Sequence, residues 1–171
     1  MSGVINNFLN NDSFFKISQT IGSSKINWFF ENIFIYSEGV FEQTKQISHV
    51  LLNDLIKNSS EDKIETSPVA IPLLEDILIE LKATKIVKAQ LKLISKTENI
   101  SEFPLIKNNQ DNLTAIMYLN KNDGYSYIEG IGKIKSEENR IVIFPSNTPH
   151  FESSSTNVSY RALLILEYSV D

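Results

Sequence analysis

Residues 112–120 read NLTAIMYLN and residues 139–144 read NRIVIF, two apolar runs that are bounded by Asn. Residues 85–95 (KIVKAQLKLIS) and 160–168 (YRALLILEY) have the same character. Aliphatic and aromatic residues dominate these runs, and Asn, Asp, Gly and Pro separate them, as is typical of strands joined by turns. We therefore predict strands over residues 85–95, 113–119, 140–144 and 160–168.

The residues before this region have a different pattern. Asp12 is predicted to cap a first helix that ends at Gly22, and apolar spacing predicts a second helix over residues 68–81. Residues 26–35 (INWFFENIFI) are predicted to form a strand. Residues 41–56 fit either an apolar helical stripe or a buried strand, and the pattern leaves both open.

Helices followed by closely spaced strands, with no helix between those strands, favour an α+β fold with antiparallel sheets. Runs such as IVIF and ALLILEY are apolar on both faces, which suits a two-sheet jelly roll packed against a helix. A chain of 171 residues is sufficient for one domain. We expect residues 1–84 to support a core formed by residues 85–171.

Composition excludes several classes of function. The net charge of −5 provides no basic surface for nucleic acid, and the lack of cysteine rules out disulfides and thiolate ligands. No apolar run approaches the roughly 20 residues that span a bilayer. The start of the chain lacks the pattern of a secretory signal. We therefore expect no membrane or nucleic-acid partner, and a cytoplasmic protein.

Arginine occurs only at Arg140 and Arg161, in a chain whose usual cation is lysine. The planar guanidinium binds a carboxylate in a way that an ammonium does not, so each arginine is a candidate for a specific role.

Short motifs follow one another along almost the whole chain. They are residues 4–9 (VINNFL), 26–30 (INWFF), 48–51 (SHVL), 87–91 (VKAQL), 114–120 (TAIMYLN), Asp123-Gly124-Tyr125, Gly130 and Asn139-Arg140. In kind and order they resemble the phage-type 2-oxoglutarate/iron(II)-dependent oxygenases, relatives of the prolyl 4-hydroxylases. This resemblance implies a double-stranded β-helix over about residues 85–168, with the N-terminal helices packed on one sheet.

The resemblance also implies positions for a metal site. Members of the family bind iron(II) with a His-x-Asp pair and a distant histidine, and His150 matches the distant histidine. The pair should fall at Ile106 and Asn108, and residues 90–112 contain no histidine. Glu102 and Asp111 are the carboxylates nearby. The resemblance therefore implies a degenerate member in which His150 is a relic ligand, and no bound cofactor is expected.

Arg161 lies where the family holds the far carboxylate of 2-oxoglutarate, and Tyr118 would line the same pocket. Each residue also has a simpler interpretation: His150 as a structural histidine, Arg161 as the partner of a nearby carboxylate, Tyr118 as sheet packing. If the pocket is open, Arg161 is a carboxylate receptor. If the pocket is filled, Arg161 needs an internal partner, because an unpaired buried cation is costly.

Three functions follow as hypotheses. The first is a non-catalytic, phage-encoded module with a structural or protein-interaction role. Such a module would bind a protein partner or assemble with copies of itself, in the infected cell or in the virion. The second is a dioxygenase that uses iron(II) and 2-oxoglutarate with an atypical site, for instance His49 with Glu102. The third is a binding module for small carboxylates or carbohydrates. Side chains such as Phe103 and Ile106, if they plug the mouth, favour the first over the third.

Overall fold

The computed structural model describes residues 2–22, 29–37, 40–53, 65–66, 70–108 and 111–170. Within them the chain forms two helices, α1 (Asn11–Ile21) and α2 (Ala70–Leu81), and eleven strands. In chain order the strands are β1 (Gly3–Ile5), β2 (Phe29–Ser37), β3 (Val40–Asn53), β4 (Glu65–Thr66), β5 (Lys85–Ser95), β6 (Leu113–Tyr118), β7 (Tyr125–Ile128), β8 (Gly132–Lys135), β9 (Arg140–Pro145), β10 (His150–Glu152) and β11 (Tyr160–Ser169).

Two antiparallel sheets face each other. The major sheet has the order β1-β9-β6-β11-β5-β3-β2, with β4 paired to β3, and the minor sheet has the order β10-β7-β8. The bridges Glu102↔Ser153 and Ile106↔His150 add the segment 101–108 to the minor sheet, beside β10. This arrangement confirms the predicted α+β fold with an antiparallel double-stranded β-helix.

The four strands predicted from residue 85 onward are confirmed as β5, β6, β9 and β11. The helical option for residues 41–56 is wrong for the described residues 41–53, because β3 pairs with β2 over residues 40–48 and with β5 over residues 46–53. This pairing satisfies backbone groups of the segment without a helix. Residues 54–56 lie outside the described part of the chain. Of the strand predicted over residues 26–35, residues 26–28 lie outside the described part of the chain, and the remainder is in β2.

The first helix begins earlier than predicted. Asn10, not Asp12, is the N-cap, and its side chain accepts a hydrogen bond of 2.9 Å from the backbone N–H of Ser13. Asp12 lies in the first turn, where its negative charge complements the helix dipole. The predicted end at Gly22 is confirmed.

Both helices pack on one face of the major sheet. Phe14 and Ile17 of α1 and Leu74 and Ile77 of α2 belong to the same buried cluster as Leu164 of the central strand β11. Other parts of the sheet join the same cluster, namely Ala89, Leu91, Ala115, Met117, Ile141, Ile143, Leu166 and Tyr168. The helices therefore stabilise the major sheet from outside and leave its other face for the β-helix interior.

A second cluster fills the space between the two sheets. Its members are Ile94, Phe103, Ile116, Tyr118, Ile128, Ile134, Val142, Phe144 and Leu163. Phe103, which the sequence placed near the mouth, is one of these buried residues, whereas Ile106 is exposed over 42% of its surface. Of the candidate site residues, Tyr118 belongs to this inner cluster, and His150 contacts its member Phe144.

The N-terminal segment is tied to the β-helix through Asn139. Its amide oxygen accepts from the N–H of Leu9 at 3.0 Å, and its amide nitrogen donates to the carbonyl of Leu9 at 2.8 Å. β1 pairs with β9, with Val4 opposite Val142. The motifs at residues 4–9 and at Asn139-Arg140, far apart in sequence, therefore meet in space.

Candidate functional site

One end of the minor sheet holds His150. It is the first residue of β10 and pairs directly with Ile106, through hydrogen bonds of 2.7 Å from Ile106 N to His150 O and 3.0 Å from His150 N to Ile106 O. Opposite residues of an antiparallel pair present their side chains on the same face. The residue that faces the imidazole across this pair is therefore an isoleucine.

The His150 ring is buried and held by its neighbours. Its Nδ1 lies 2.8 Å from the carbonyl oxygen of Thr148, and its ring meets the Phe144 ring edge-on at 4.9 Å between centroids. An imidazole fixed in this way is well ordered. It offers one ring nitrogen, at most, to any ligand.

Arg161 lies at the other end of the same interior, as the second residue of β11, and no part of it is exposed. Its Nη1 donates to Glu152 Oε2 at 2.6 Å and to the carbonyl of Ser153 at 3.0 Å. Its Nε donates to Ser136 Oγ at 2.8 Å, and its Nη2 donates to Ser126 Oγ at 3.0 Å. The guanidinium is thus surrounded by acceptors that the chain itself supplies.

Glu152 is the charged partner that the sequence analysis missed. It lies two residues after His150 in β10, so both side chains point to the inner face, and it is buried. Its Oε2 also accepts a hydrogen bond of 2.7 Å from Ser126 Oγ. Its Oε1 is buried and has no hydrogen-bond partner among the described residues.

The signal for Glu152 was present in the sequence. In the run His150-Phe151-Glu152, strand alternation puts the glutamate on the same side as the histidine. A buried carboxylate requires a cation, and Arg161 follows nine residues later. The serines that complete the cluster, Ser126 and Ser136, carry no comparable signal because serine is common in turns and at surfaces.

Tyr118 is buried beside this cluster. Its hydroxyl donates to Ser126 Oγ at 2.7 Å, and its ring centroid lies 5.6 Å from the guanidinium carbon of Arg161. Burial, and then the nearby Glu152 carboxylate, raise the pKa of the Tyr118 phenol well above its usual value. The phenol is therefore a protonated donor in this network.

Gly124 provides room for Arg161. A Cβ at this position would lie 2.7 Å from Arg161 Cδ and 2.7 Å from the carbonyl oxygen of Ser154. The preceding Asp123 fixes the turn, since its carboxylate accepts from the backbone N–H of Thr156 at 2.8 Å and from the Thr156 hydroxyl. The Asp123-Gly124 motif is thus a turn that fits closely over the buried arginine.

The residues named for an atypical metal site lie elsewhere. Glu102 is on the outer face of the minor sheet, where its carboxylate is bonded to the hydroxyl of Tyr125 and, at 3.2 Å, to Lys133 Nζ. His49 is opposite Leu91 in the β3–β5 register, and its side chain is outside what the structure describes. Asp111 is exposed ahead of β6.

Comparisons with known proteins place the fold. No protein-family model and no curated protein matches the sequence. Solved structures do match. A 2-oxoglutarate/iron(II) oxygenase family oxidoreductase from Burkholderia pseudomallei has a TM-score of 0.68 at 9% identity, over 98% of this chain and 84% of that one. A prolyl hydroxylase from Trichoplax adhaerens has a TM-score of 0.60 at 14% identity, over 98% and 83%.

The chain has the fold of the 2-oxoglutarate/iron(II) oxygenases. A third structure of this fold, an Escherichia coli ribosomal oxygenase with cobalt and 2-oxoglutarate bound, has a TM-score of 0.56 at 9% identity, over all of this chain and 48% of that one. Neither described helix is long and apolar enough to span a membrane.

Iron(II) does not fit the side chains at the two positions that the resemblance assigns to its His-x-Asp pair. Ile106 has no donor atom, and Asn108, on the same side of the extended segment, offers a neutral amide in place of a carboxylate. Throughout the described ranges, no three His, Cys, Asp or Glu side chains cluster closely enough to hold a metal ion. A single imidazole does not compete effectively with water for a divalent metal ion.

2-Oxoglutarate does not fit the arginine end either. The guanidinium that would bind its far carboxylate is already bonded to Glu152, and the remaining donors are directed at Ser126, Ser136 and Ser153. A dicarboxylate would have to displace a buried, tethered carboxylate to reach Arg161.

An open cavity of about 520 Å³ lies at the histidine end, outside this network. Lys107, Glu129, Asn147, Thr148 and Pro149 line it. Its lining is polar and carries charges of both signs, and it adjoins the Ile106–His150 pair through Lys107 and Pro149. The arrangement can bind polar groups there, but it contains no set of residues arranged for general acid–base or nucleophilic chemistry.

Proposed function

We propose that this protein is a non-catalytic member of the oxygenase fold that serves as a structural or protein-interaction module. The observation that carries the proposal is the pairing of Ile106 with His150, because Ile106 is aliphatic at a position that the resemblance assigns to a metal ligand. The Arg161–Glu152 ion pair supports it, since Arg161, which the resemblance assigns to the cosubstrate's carboxylate, already has a carboxylate partner. A fold alone does not fix a function, so these residues, rather than the relatives, decide the proposal.

The proposal also covers the location of the protein and its partner. Its motifs resemble phage-type oxygenases, so we place it in the infected host cell or in the virion, with a protein partner or a second copy of itself. Exposed apolar side chains in one short segment, Ile100, Leu105 and Ile106, support contact with a protein rather than with nucleic acid.

Metal content and turnover test the proposal together. The protein is purified with iron(II) and 2-oxoglutarate present, and bound iron is measured by elemental analysis while succinate formation is followed. We expect no stoichiometric iron and no succinate above a blank without protein. Succinate formation that is lost in the His150→Ala variant would overturn the proposal.

A working dioxygenase is the second candidate, because the solved structures of this fold named above include enzymes of this class. It requires ligands from outside the described residues or a site that uses His49. The same measurement separates the two candidates, since a dioxygenase consumes 2-oxoglutarate and a scaffold does not. The His49→Ala variant then shows whether that residue takes part.

A further inference from the structure

We propose that Glu152 is the protein's own ligand for Arg161, a side-chain carboxylate that fills a retained carboxylate-binding site. Once Glu152 is shortened, the site should accept a free small monocarboxylate of the size of acetate or propionate. This inference rests on the proposed function, in which Arg161 is a receptor that has outlived catalysis.

The geometry of the contact is that of a receptor with its ligand. The distance of 2.6 Å between Arg161 Nη1 and Glu152 Oε2 is short, as in charge-assisted hydrogen bonds. Ser126 Oγ donates to the same oxygen, and the guanidinium is further held by Ser136 Oγ and the Ser153 carbonyl. The cation is therefore fixed by neutral groups of the chain, and Glu152 is the one described carboxylate on it.

The orientation of Glu152 shows that its covalent link to β10 limits how well its carboxylate fits the Arg161 guanidinium. Among the described residues, only Oε2 has hydrogen-bond partners, while Oε1 is buried without one. A guanidinium favours a bidentate carboxylate, and an unsatisfied buried oxygen destabilises the pair. A free carboxylate has no covalent link to β10 and can turn both oxygens toward donors, which offsets part of the entropy that it loses on binding.

The size of the ligand follows from the atoms removed. The Glu152→Ala change deletes Cγ, Cδ and both carboxylate oxygens, which is the heavy-atom skeleton of acetate. The Glu152→Gly change also removes Cβ and leaves room for propionate. Succinate has a second carboxylate, which would lie among Phe103, Phe144 and the other apolar side chains between the sheets, so acetate should be preferred.

Glu152→Gln is the matched control. It removes the charge but keeps the volume, so no space for acetate opens. The two variants therefore separate filling of a vacated site from a general effect of acetate on stability.

The experiment measures the melting temperatures of the wild type, Glu152→Ala and Glu152→Gln in sodium acetate and in sodium chloride of equal ionic strength. We expect acetate to raise the melting temperature of Glu152→Ala by several degrees, saturably and in the millimolar range, and to leave the other two unchanged. If Glu152→Ala does not fold in chloride, the variant is refolded from urea in each of the two salts. The soluble fraction of the protein should then be larger in acetate than in chloride.

A Glu152→Ala variant that responds equally to both salts, or that fails to fold in either, would overturn the inference. So would an equal response of Glu152→Gln. Failure of the proposed function has a different signature, namely iron-dependent consumption of 2-oxoglutarate by the wild type. The two outcomes are therefore distinguishable.

Discussion

The two ends of the β-helix interior differ in how their polar side chains are accommodated. At the histidine end, an isoleucine faces His150, and Ile106 remains partly exposed. At the arginine end, a guanidinium remains fully buried, and a carboxylate from β10 neutralises it. The two ends are only about 7 Å apart along β10, from His150 to Glu152.

The difference teaches that burial decides which polar groups depend on a partner. An aliphatic residue near solvent, such as Ile106, leaves no polar group unpaired, so it makes little demand on folding. A buried charge is different, since removing one partner leaves the other without compensation in a medium of low polarity. Arg161 and Glu152 therefore depend on each other, although neither needs iron.

The largest expected effect is at the arginine end. Arg161→Met should lower the free energy of unfolding by about 3–5 kcal/mol, because Glu152 is then buried without a counter-ion. Urea denaturation measures this change. Arg140→Met is the control, since Arg140 is only half-buried and bonds to Asn6 and to the Lys135 carbonyl. It should lose about 1 kcal/mol or less.

A double-variant cycle sharpens the same point. Glu152→Met combined with Arg161→Met removes both charges, so the loss should be clearly smaller than the sum of the two single losses. Strict additivity would mean that the two side chains do not stabilise each other, and the contrast between the two ends would fail.

A smaller loss in the free energy of unfolding is expected from a substitution at Gly124. Gly124→Ala places a Cβ against Arg161 Cδ and the Ser154 carbonyl, and overpacking of this kind costs about 1–3 kcal/mol. Gly3→Ala is the control, because no atom of the described residues lies within 4 Å of a Cβ built there. Equal melting temperatures for the two variants would show that the turn does not pack closely on the arginine.

The smallest effect is on the outer face of the minor sheet. The hydrogen bond from Tyr125, assisted by Lys133, lowers the pKa of Glu102 below its usual 4.5. A lowered folded-state pKa adds stability above the unfolded value, and this stability is lost as the pH falls through the folded value. Glu102→Gln should therefore be less stable than the wild type at neutral pH, by under about 1 kcal/mol because the pair is exposed.

Melting temperatures of the two proteins over a pH series check this prediction. The difference in melting temperature between the wild type and Glu102→Gln should disappear as the pH drops below the usual pKa range of carboxylates. A gap that stays constant down to acidic pH would show that the Glu102 carboxylate contributes through its shape rather than its charge.

Local pattern and motif order were sufficient for most of the fold. The β5 limits coincide with the predicted run at residues 85–95, because apolar residues there face two packed layers. Residues 41–56 stayed ambiguous because a short apolar run fits both the helical repeat and the strand repeat. Only the pairing of β3 with β5 decides between helix and strand.

The site was predictable in part. The resemblance assigned one metal-ligand position to Ile106 and another to His150, and the structure pairs these two residues. Glu152 was missed because the resemblance describes what an active site contains, and a residue that takes the place of a ligand has no position in that pattern. The orientation of Ser126 and Ser136 depends on tertiary contacts that no local signal encodes.

Restoring the metal ligands tests the central claim most directly. The variant Ile106→His/Asn108→Asp is titrated with cobalt(II), beside the wild type, and visible absorption reports coordination. The account predicts no stoichiometric binding by the wild type, binding by the double variant, and loss of that binding when His150→Ala is added. Stoichiometric cobalt binding by the wild type, or none by the double variant, would contradict it.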